Sequence, residues 1–306
     1  MERDARLLVD LLRDRQPVDR SLGQHYLIDE AVLDASLAMG AALDGRDDLQ
    51  GCHVLEIGCG PGVLTHRLIQ AGARVTAIEI DEGSLEHMAM QFMDEIEAGS
   101  LTLVPGDALK ERWPADVDRI IANIPYQISS PLCDRLQQLR HRGWPAEADF
   151  AGAVLLVQEE FAERMVMAYE MDRGPLGMSL WLDFDAEMGR RVSPAAFSPQ
   201  PRVHSRLVAL KPNEREGAWG AFDRRLFRQI VKHCFEDRRR KIRNRLRRPP
   251  KRLSRIREWH KERWMSAVAN LFEEAEDLVD ERPELLDPWD WIEICQRLSG
   301  TWEEEE

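Results

Sequence analysis

The passage Cys52-His53-Val54-Leu55-Glu56-Ile57 runs into Gly58-Cys59-Gly60-Pro61-Gly62 and then into the helix-patterned stretch Val63 to Ala71. No other feature constrains the fold of this chain as strongly. The short apolar run reads as a buried strand. Glycines between a strand and a helix let the backbone turn sharply and approach a ligand closely. Strand, glycine turn and helix in that order open an α/β sheet, whose ligands bind beyond the carboxyl ends of the strands. A nicotinamide or flavin dinucleotide would call for G-x-G-x-x-G. In the two available frames its third glycine falls on Val63 or Thr65. The chain carries E-x-G-x-G-x-G instead, from Glu56 to Gly62.

The rest of the pattern extends the sheet. Strands are expected near 52–57, 74–79, 101–104, 119–122 and 150–157, alternating with helices near 63–71, 84–97, 129–140 and 158–168. This alternation predicts a doubly wound α/β domain. Two more strands, near 186–192 and 203–210, would bring the sheet to seven, one of them antiparallel. The expected division is a catalytic domain over 1–211 and a small helical domain over 212–306.

Three strand ends carry groups suited to a nucleoside. The strand Arg74 to Glu79 ends in a carboxylate, which can accept hydrogen bonds from both ribose hydroxyls. Leu101 to Val104 leads to Gly106-Asp107-Ala108, where Asp107 can accept from an adenine amine. Arg119-Ile120-Ile121-Ala122 leads to Asn123-Ile124-Pro125-Tyr126. Here a side-chain amide oxygen and a backbone carbonyl can accept both hydrogens of one exocyclic amine, while the Tyr126 ring stacks on the base. Two acceptors aimed at an amine make its nitrogen more pyramidal and more nucleophilic as a transition state forms.

The Glu56–Gly62 loop resembles motif I of S-adenosylmethionine methyltransferases. Taken with LGQHYL (22–27), IEID, GDAL, NIPYQISSP and AFSPQPRVHS, it resembles the KsgA-type small-subunit rRNA adenine dimethyltransferases over roughly residues 20 to 250. The resemblance implies a Rossmann-like class I methyltransferase fold with a seven-stranded sheet. It implies S-adenosylmethionine as cofactor, held by Gln24, His25, Leu27, Glu56, Gly58, Gly60, Gly62, Glu79, Ile80, Asp107, Ala108 and Asn123. It also implies that the target adenine lies between Tyr126 and Phe197, with Asn123 and the Pro125 carbonyl on its amine. The implied product is N6,N6-dimethyladenosine at two adjacent adenosines in the 3′-terminal hairpin loop of small-subunit rRNA, made within a pre-small ribosomal subunit. His25 and Tyr26 stand where bacterial relatives usually have Asn and Phe, which reads as lineage. Pro131 follows the Ser-Ser pair, where Erm-type large-subunit rRNA methyltransferases usually have Asp. Other readings are an Erm-like enzyme, a DNA adenine methyltransferase, or an assembly factor or RNA-binding protein in which methylation is secondary.

Charge locates a partner surface. The formal net charge is −13, but residues 273–306 hold 14 acids against 2 arginines, leaving about −1 on the rest. Residues 238–257 hold 12 Arg plus Lys and no acid. Phe235, Ile242 and Leu246 recur at helical spacing. One helix is therefore expected to dock by that face and to present Arg238, Arg239, Arg240, Lys241, Arg243, Arg245 and Arg248 to rRNA phosphates until Pro249-Pro250 ends it. The tryptophans 264, 289, 291 and 302 suggest a folded acidic tail, expected to pack near the basic helix and temper nonspecific RNA binding. No run of about 18 apolar residues suggests a membrane span, and Met1 to Arg15 lacks a signal core and reads as a short amphipathic helix. The five cysteines have no C-x-x-C spacing. Together these features predict a cytoplasmic, monomeric enzyme without metal or disulfide.

Overall fold

The computed structural model describes residues 4–16, 23–142, 149–215 and 218–301. The chain divides into two compact units, residues 1–162 with 184–212, and residues 163–183 with 213–306.

In the first unit the strands are β1 (Tyr26–Leu27), β2 (His53–Ile57), β3 (Arg74–Glu79), β4 (Leu101–Pro105), β5 (Arg119–Asn123), β6 (Gly152–Gln158), β7 (Phe184–Val192), β8 (Phe197–Ser198) and β9 (Ser205–Pro212). Seven of them form one sheet in the order β4-β3-β2-β5-β6-β9-β7. Pairings from β4 to β6 are parallel, and β9 runs antiparallel to β6 and β7. All five residues of β2 are buried, as expected of a parallel strand covered on both faces. The chain runs outward from β2 through β3 to β4 and then returns to the other side of β2 as β5. That reversal opens a crevice between the carboxyl ends of β2 and β5, which positions the site.

The helical pattern expected over 84–97 breaks at Phe92, giving Glu82–Gln91 and Met93–Glu97. Phe92 leaves helical geometry (φ −119°, ψ 29°) with its side chain fully buried beside His66 and below Gly62. The amphipathic helix Ala5–Arg15 is capped by Asp4, whose carboxylate accepts from Leu7 N, and it buries Leu8, Val9 and Leu12.

The second unit surrounds its own apolar cluster. Its helices include Pro175–Trp181, Arg224–Phe235, Ile242–Leu246, Lys261–Glu274, Glu276–Asp280 and Pro288–Ser299. Residues 163–183 join it because Met178 and Leu182 are buried in that cluster. Trp264 and Trp291 are fully buried, and Trp264 Nε1 donates to the Leu246 carbonyl at 2.9 Å. Much of the acidic tail is therefore core. Trp302 lies outside the described residues.

The basic segment departs from expectation. It is not one helix from Phe235 to Leu246: the chain turns at 236–241 and restarts at Ile242. Six consecutive charged residues, Glu236 to Lys241, offer no apolar face, and short helices depend on tertiary burial. Ile242 and Leu246 are fully buried from their own short helix. Among the described residues no helix is long and apolar enough to cross a membrane.

Candidate active site

A cavity of about 240 Å³ opens at the carboxyl ends of β2, β3, β4 and β5. Gln24, His25, Leu27, Glu56, Gly58, Gly60, Glu79, Ile80, Asp107, Ala108, Asn123, Pro125 and Tyr126 all border it. Residues 100 positions apart thus meet because each follows a parallel strand or, for 24–27, enters the β1–β8 ribbon.

The glycine loop needs its glycines for different reasons. Gly58 (φ +73°) and Gly60 (φ +50°) lie in the left-handed region; a Cβ at Gly60 would crowd the Tyr26 ring at 3.0 Å, while one at Gly58 would make ordinary contact with Pro125 at 3.5 Å. Gly62 (φ +82°) does not border the cavity. A Cβ there would strike Met88 Sδ and the Phe92 ring, both at 2.5 Å. At this position glycine lets the helix Val63–Gln70 pack closely on its neighbours.

The carboxylates are fixed mostly by nearby backbone. Glu79 Oε2 accepts from Gly60 N, and its Oε1 accepts from Ile80 N and Asp81 N, all at 2.9 Å. Burial raises its pKa, opposed by those three N–H groups. Glu56, also buried, accepts from the Thr65 hydroxyl at 2.6 Å. Burial pushes its pKa up to about 8; the Thr65 hydrogen bond opposes the rise and the Glu79 charge adds to it. Asp107 is more open. The Lys110 ammonium at 2.9 Å and the Leu109 N–H hold its carboxyl below the usual range. Between the acids stands Ile80, 59% exposed, an apolar platform facing the cavity.

At the end of β5, Asn123 Nδ2 donates to the His25 carbonyl at 3.3 Å, which leaves Oδ1 as the amide's acceptor. The Tyr126 ring lies 5.8 Å from the His25 ring, 28° from coplanar. Its hydroxyl hydrogen-bonds Ser205 Oγ at 2.7 Å, and Ser205 is fully buried at the start of β9. Burial raises the Tyr126 pKa, opposed by that hydrogen bond. His25 Nδ1 donates to the Pro199 carbonyl at 2.8 Å. Ser205 and Pro199 both lie in AFSPQPRVHS, where Pro199 is expected only to stiffen the chain before the strand and Ser205 carries no expected role. Their contacts across 79 and 174 residues give no local signal.

Phe197 was expected against the target base. It is 2% exposed instead, pairs with Leu27 in the β1–β8 ribbon and joins the apolar core of the first unit.

The second unit brings the expected RNA-contacting cations together with carboxylates. Arg238 pairs with Glu284 at 2.7 Å, Lys241 with Asp280 at 3.1 Å, and Arg240 with Asp237 at 2.9 Å. Arg243 pairs with Asp280 and, at 3.5 Å, with Glu276. Arg245 does not stay outside. It turns back to donate to the His233 carbonyl at 2.7 and 3.0 Å and to Glu236 at 2.7 Å. Arg239 is exposed.

Residues 16–268 match the ribosomal RNA adenine dimethylase family. The chain belongs to that family. A probable ribosomal RNA small subunit methyltransferase A of Methanospirillum hungatei is 35% identical over 279 residues, covering 90% of this chain and 98% of that protein. A protein of the same description from Natronomonas pharaonis is 39% identical over 230 residues, 75% of this chain and 77% of its own length. A dimethyladenosine transferase from Plasmodium falciparum superposes with a TM-score of 0.70 at 26% identity, covering 90% of this chain and 98% of that one. The family match spans residues 16–268, and the carboxylates at 276–284 that pair with the basic segment lie beyond it.

Proposed function

We propose that this chain is an S-adenosylmethionine-dependent rRNA adenine-N6,N6-dimethyltransferase. Its target would be two adjacent adenosines in the 3′-terminal hairpin loop of small-subunit rRNA. It would act as a cytoplasmic monomer on a pre-small ribosomal subunit. The observation that carries the reading is the Asn123 amide, tied by its Nδ2 to the His25 carbonyl and sharing one cavity with Glu79, Ile80 and Asp107.

The cavity fits the cofactor's chemistry. Left-handed backbone at Gly58 and Gly60 shapes the loop, and at Gly60 a side chain would also press on the Tyr26 ring. Glu79 is set for ribose hydroxyls, since a carboxylate keeps acceptor capacity beyond three N–H bonds. Asp107 would accept from the cofactor's adenine amine, and Ile80 would pack against its adenine. When bound, S-adenosylmethionine supplies an electrophilic methyl group on a good leaving group.

The chain's own residues do the rest. Asn123 Oδ1 and the Pro125 carbonyl accept from the target amine and hold its nitrogen lone pair in line. Tyr126 stacks on the base, its ring angle set by Ser205 and His25. Unpaired loop bases cost little to extrude, and a stacked base contributes about 1–3 kcal/mol. Alignment and acceptor placement carry the rate. No strong base is required, because the methylated ammonium is acidic enough to lose its proton to water.

The test is tritiated methyl transfer to small subunits lacking the modification, with wild type beside Asn123→Ala. Incorporation should approach four methyls per subunit. Loss of a transition-state acceptor should lower kcat by about 10²–10³-fold while cofactor binding persists. Tight subunit binding without any incorporation would favour an assembly role instead.

A further inference from the structure

We infer that RNA phosphates dock on residues 247–255, while the neighbouring cations at 238–245 are largely occupied by the chain's own carboxylates. This rests on the function proposed above and names the surface that takes the RNA.

Of the segment's 12 cations, Arg257 pairs with Glu258, and Arg239 is exposed with no carboxylate partner among the described residues; the other ten fall into two sets. In the first, Arg238, Arg240, Lys241, Arg243 and Arg245 each face an acid: Glu284, Asp237, Asp280, Asp280 with Glu276, and Glu236. In the second, Arg247, Arg248, Lys251, Arg252 and Arg255 are all exposed. None of these five has a carboxylate partner among the described residues.

The second set stands on a fixed scaffold. Leu246, Leu253 and Ile256 are buried between the exposed cations. Pro249-Pro250 stiffens the turn. Leu253 N donates to the Pro250 carbonyl at 3.0 Å and Ile256 N to the Leu253 carbonyl at 2.9 Å. Five cations are therefore displayed on rigid backbone with no exposed large apolar residue among them. That composition suits a repeating polyanion better than a protein surface, which would call for an apolar anchor.

The two sets differ in what binding gains. A free cation that meets a phosphate releases condensed counterions, which gives affinity and steep salt dependence. A cation already held by a tethered carboxylate exchanges one anion for another and releases little.

The test is the salt dependence of binding of full-length protein to a fluorescent hairpin RNA carrying two loop adenosines. One variant is Arg248→Ala with Arg252→Ala and Arg255→Ala. The other is Arg238→Ala with Lys241→Ala and Arg243→Ala. Thermal melting verifies folding of both. The first should lower the slope of log K against log salt by roughly 2–3, and the second by less than about 1. An equal or larger loss in the second variant overturns the inference. So does an unchanged slope in the first, or equal loss of binding to polyglutamate, which would indicate an acidic protein partner. Methyl incorporation by wild type tests the function separately. Incorporation with unchanged slopes sinks the surface alone, and the expected slopes without incorporation sink the function alone.

Discussion

The strand-end cleft and the basic segment both depend on charge, but they hold it by different means. In the cleft, Glu79 is gripped by three backbone N–H groups, two of them its immediate successors. In the second unit, Lys241 and Arg238 meet side-chain carboxylates 39 and 46 residues away. Backbone donors belong to the fold and stay in place as long as it does. Side-chain carboxylates on an exposed face can be exchanged, and each such pair stabilises by at most about 1 kcal/mol. The cleft is thus preorganised, and the basic face is adjustable by salt or by a competing polyanion.

The largest expected effect comes from the glycine that packs rather than binds. Gly62→Ala places a methyl group 2.5 Å from Met88 Sδ and from the Phe92 ring, in a left-handed backbone. It should lower unfolding stability by about 1–3 kcal/mol in denaturant titrations, with cofactor affinity of the folded protein nearly unchanged. Unchanged stability with lost cofactor affinity would return Gly62 to the binding wall.

Next is the exchangeable side of the comparison. Asp280→Asn combined with Glu284→Gln releases Lys241 and Arg238. The salt slope for unrelated RNA should steepen by about 1–2, with tighter binding at low salt. No change in slope would mean that these pairs do not compete with RNA. Point changes are the right tool, because deleting 276–306 would also remove fully buried Val279, Trp291 and Ile294.

The smallest effect concerns pH. Glu56 has a folded pKa of about 8 against an ordinary 4.5, so the folded protein keeps a proton that the unfolded chain loses. Its contribution to stability is therefore greatest below the unfolded pKa and declines as pH rises toward 8; raised Glu79 acts in the same direction. Glu56→Gln should remove part of that decline, so that its melting temperature falls less than that of wild type between about pH 5 and 8. Identical profiles would show that Glu56 ionises freely in the fold.

The same contrast explains what was legible in the sequence. The seven strands and the placement of Glu79, Asp107 and Asn123 at their ends follow from local apolar runs, and the local pattern is enough to put those groups around one cavity. Gly62 and Phe197 show the limit. A motif records that a glycine or an aromatic ring is required, but whether the requirement is a ligand or a neighbouring helix depends on packing between distant segments. The basic helix failed for a related reason: apolar spacing suggested one continuous face, while an uninterrupted charged stretch at 236–241 left nothing to bury. Ser205 was invisible because its partner lies 79 residues away.

The hydrogen bond from Asn123 Nδ2 to the His25 carbonyl has a consequence for base selection. An amide free to rotate by half a turn can greet either a donor or an acceptor. This one cannot turn without setting its own oxygen against the His25 oxygen. Its oxygen is thereby fixed as the acceptor facing away from His25, with one amide N–H left beside it. If Asn123 receives the base as proposed, that oxygen favours an amino edge, as on adenine, over a keto edge, as on guanine or uracil. The amide's orientation is set by a main-chain atom 98 residues upstream, which no substitution at His25 can remove without moving the backbone.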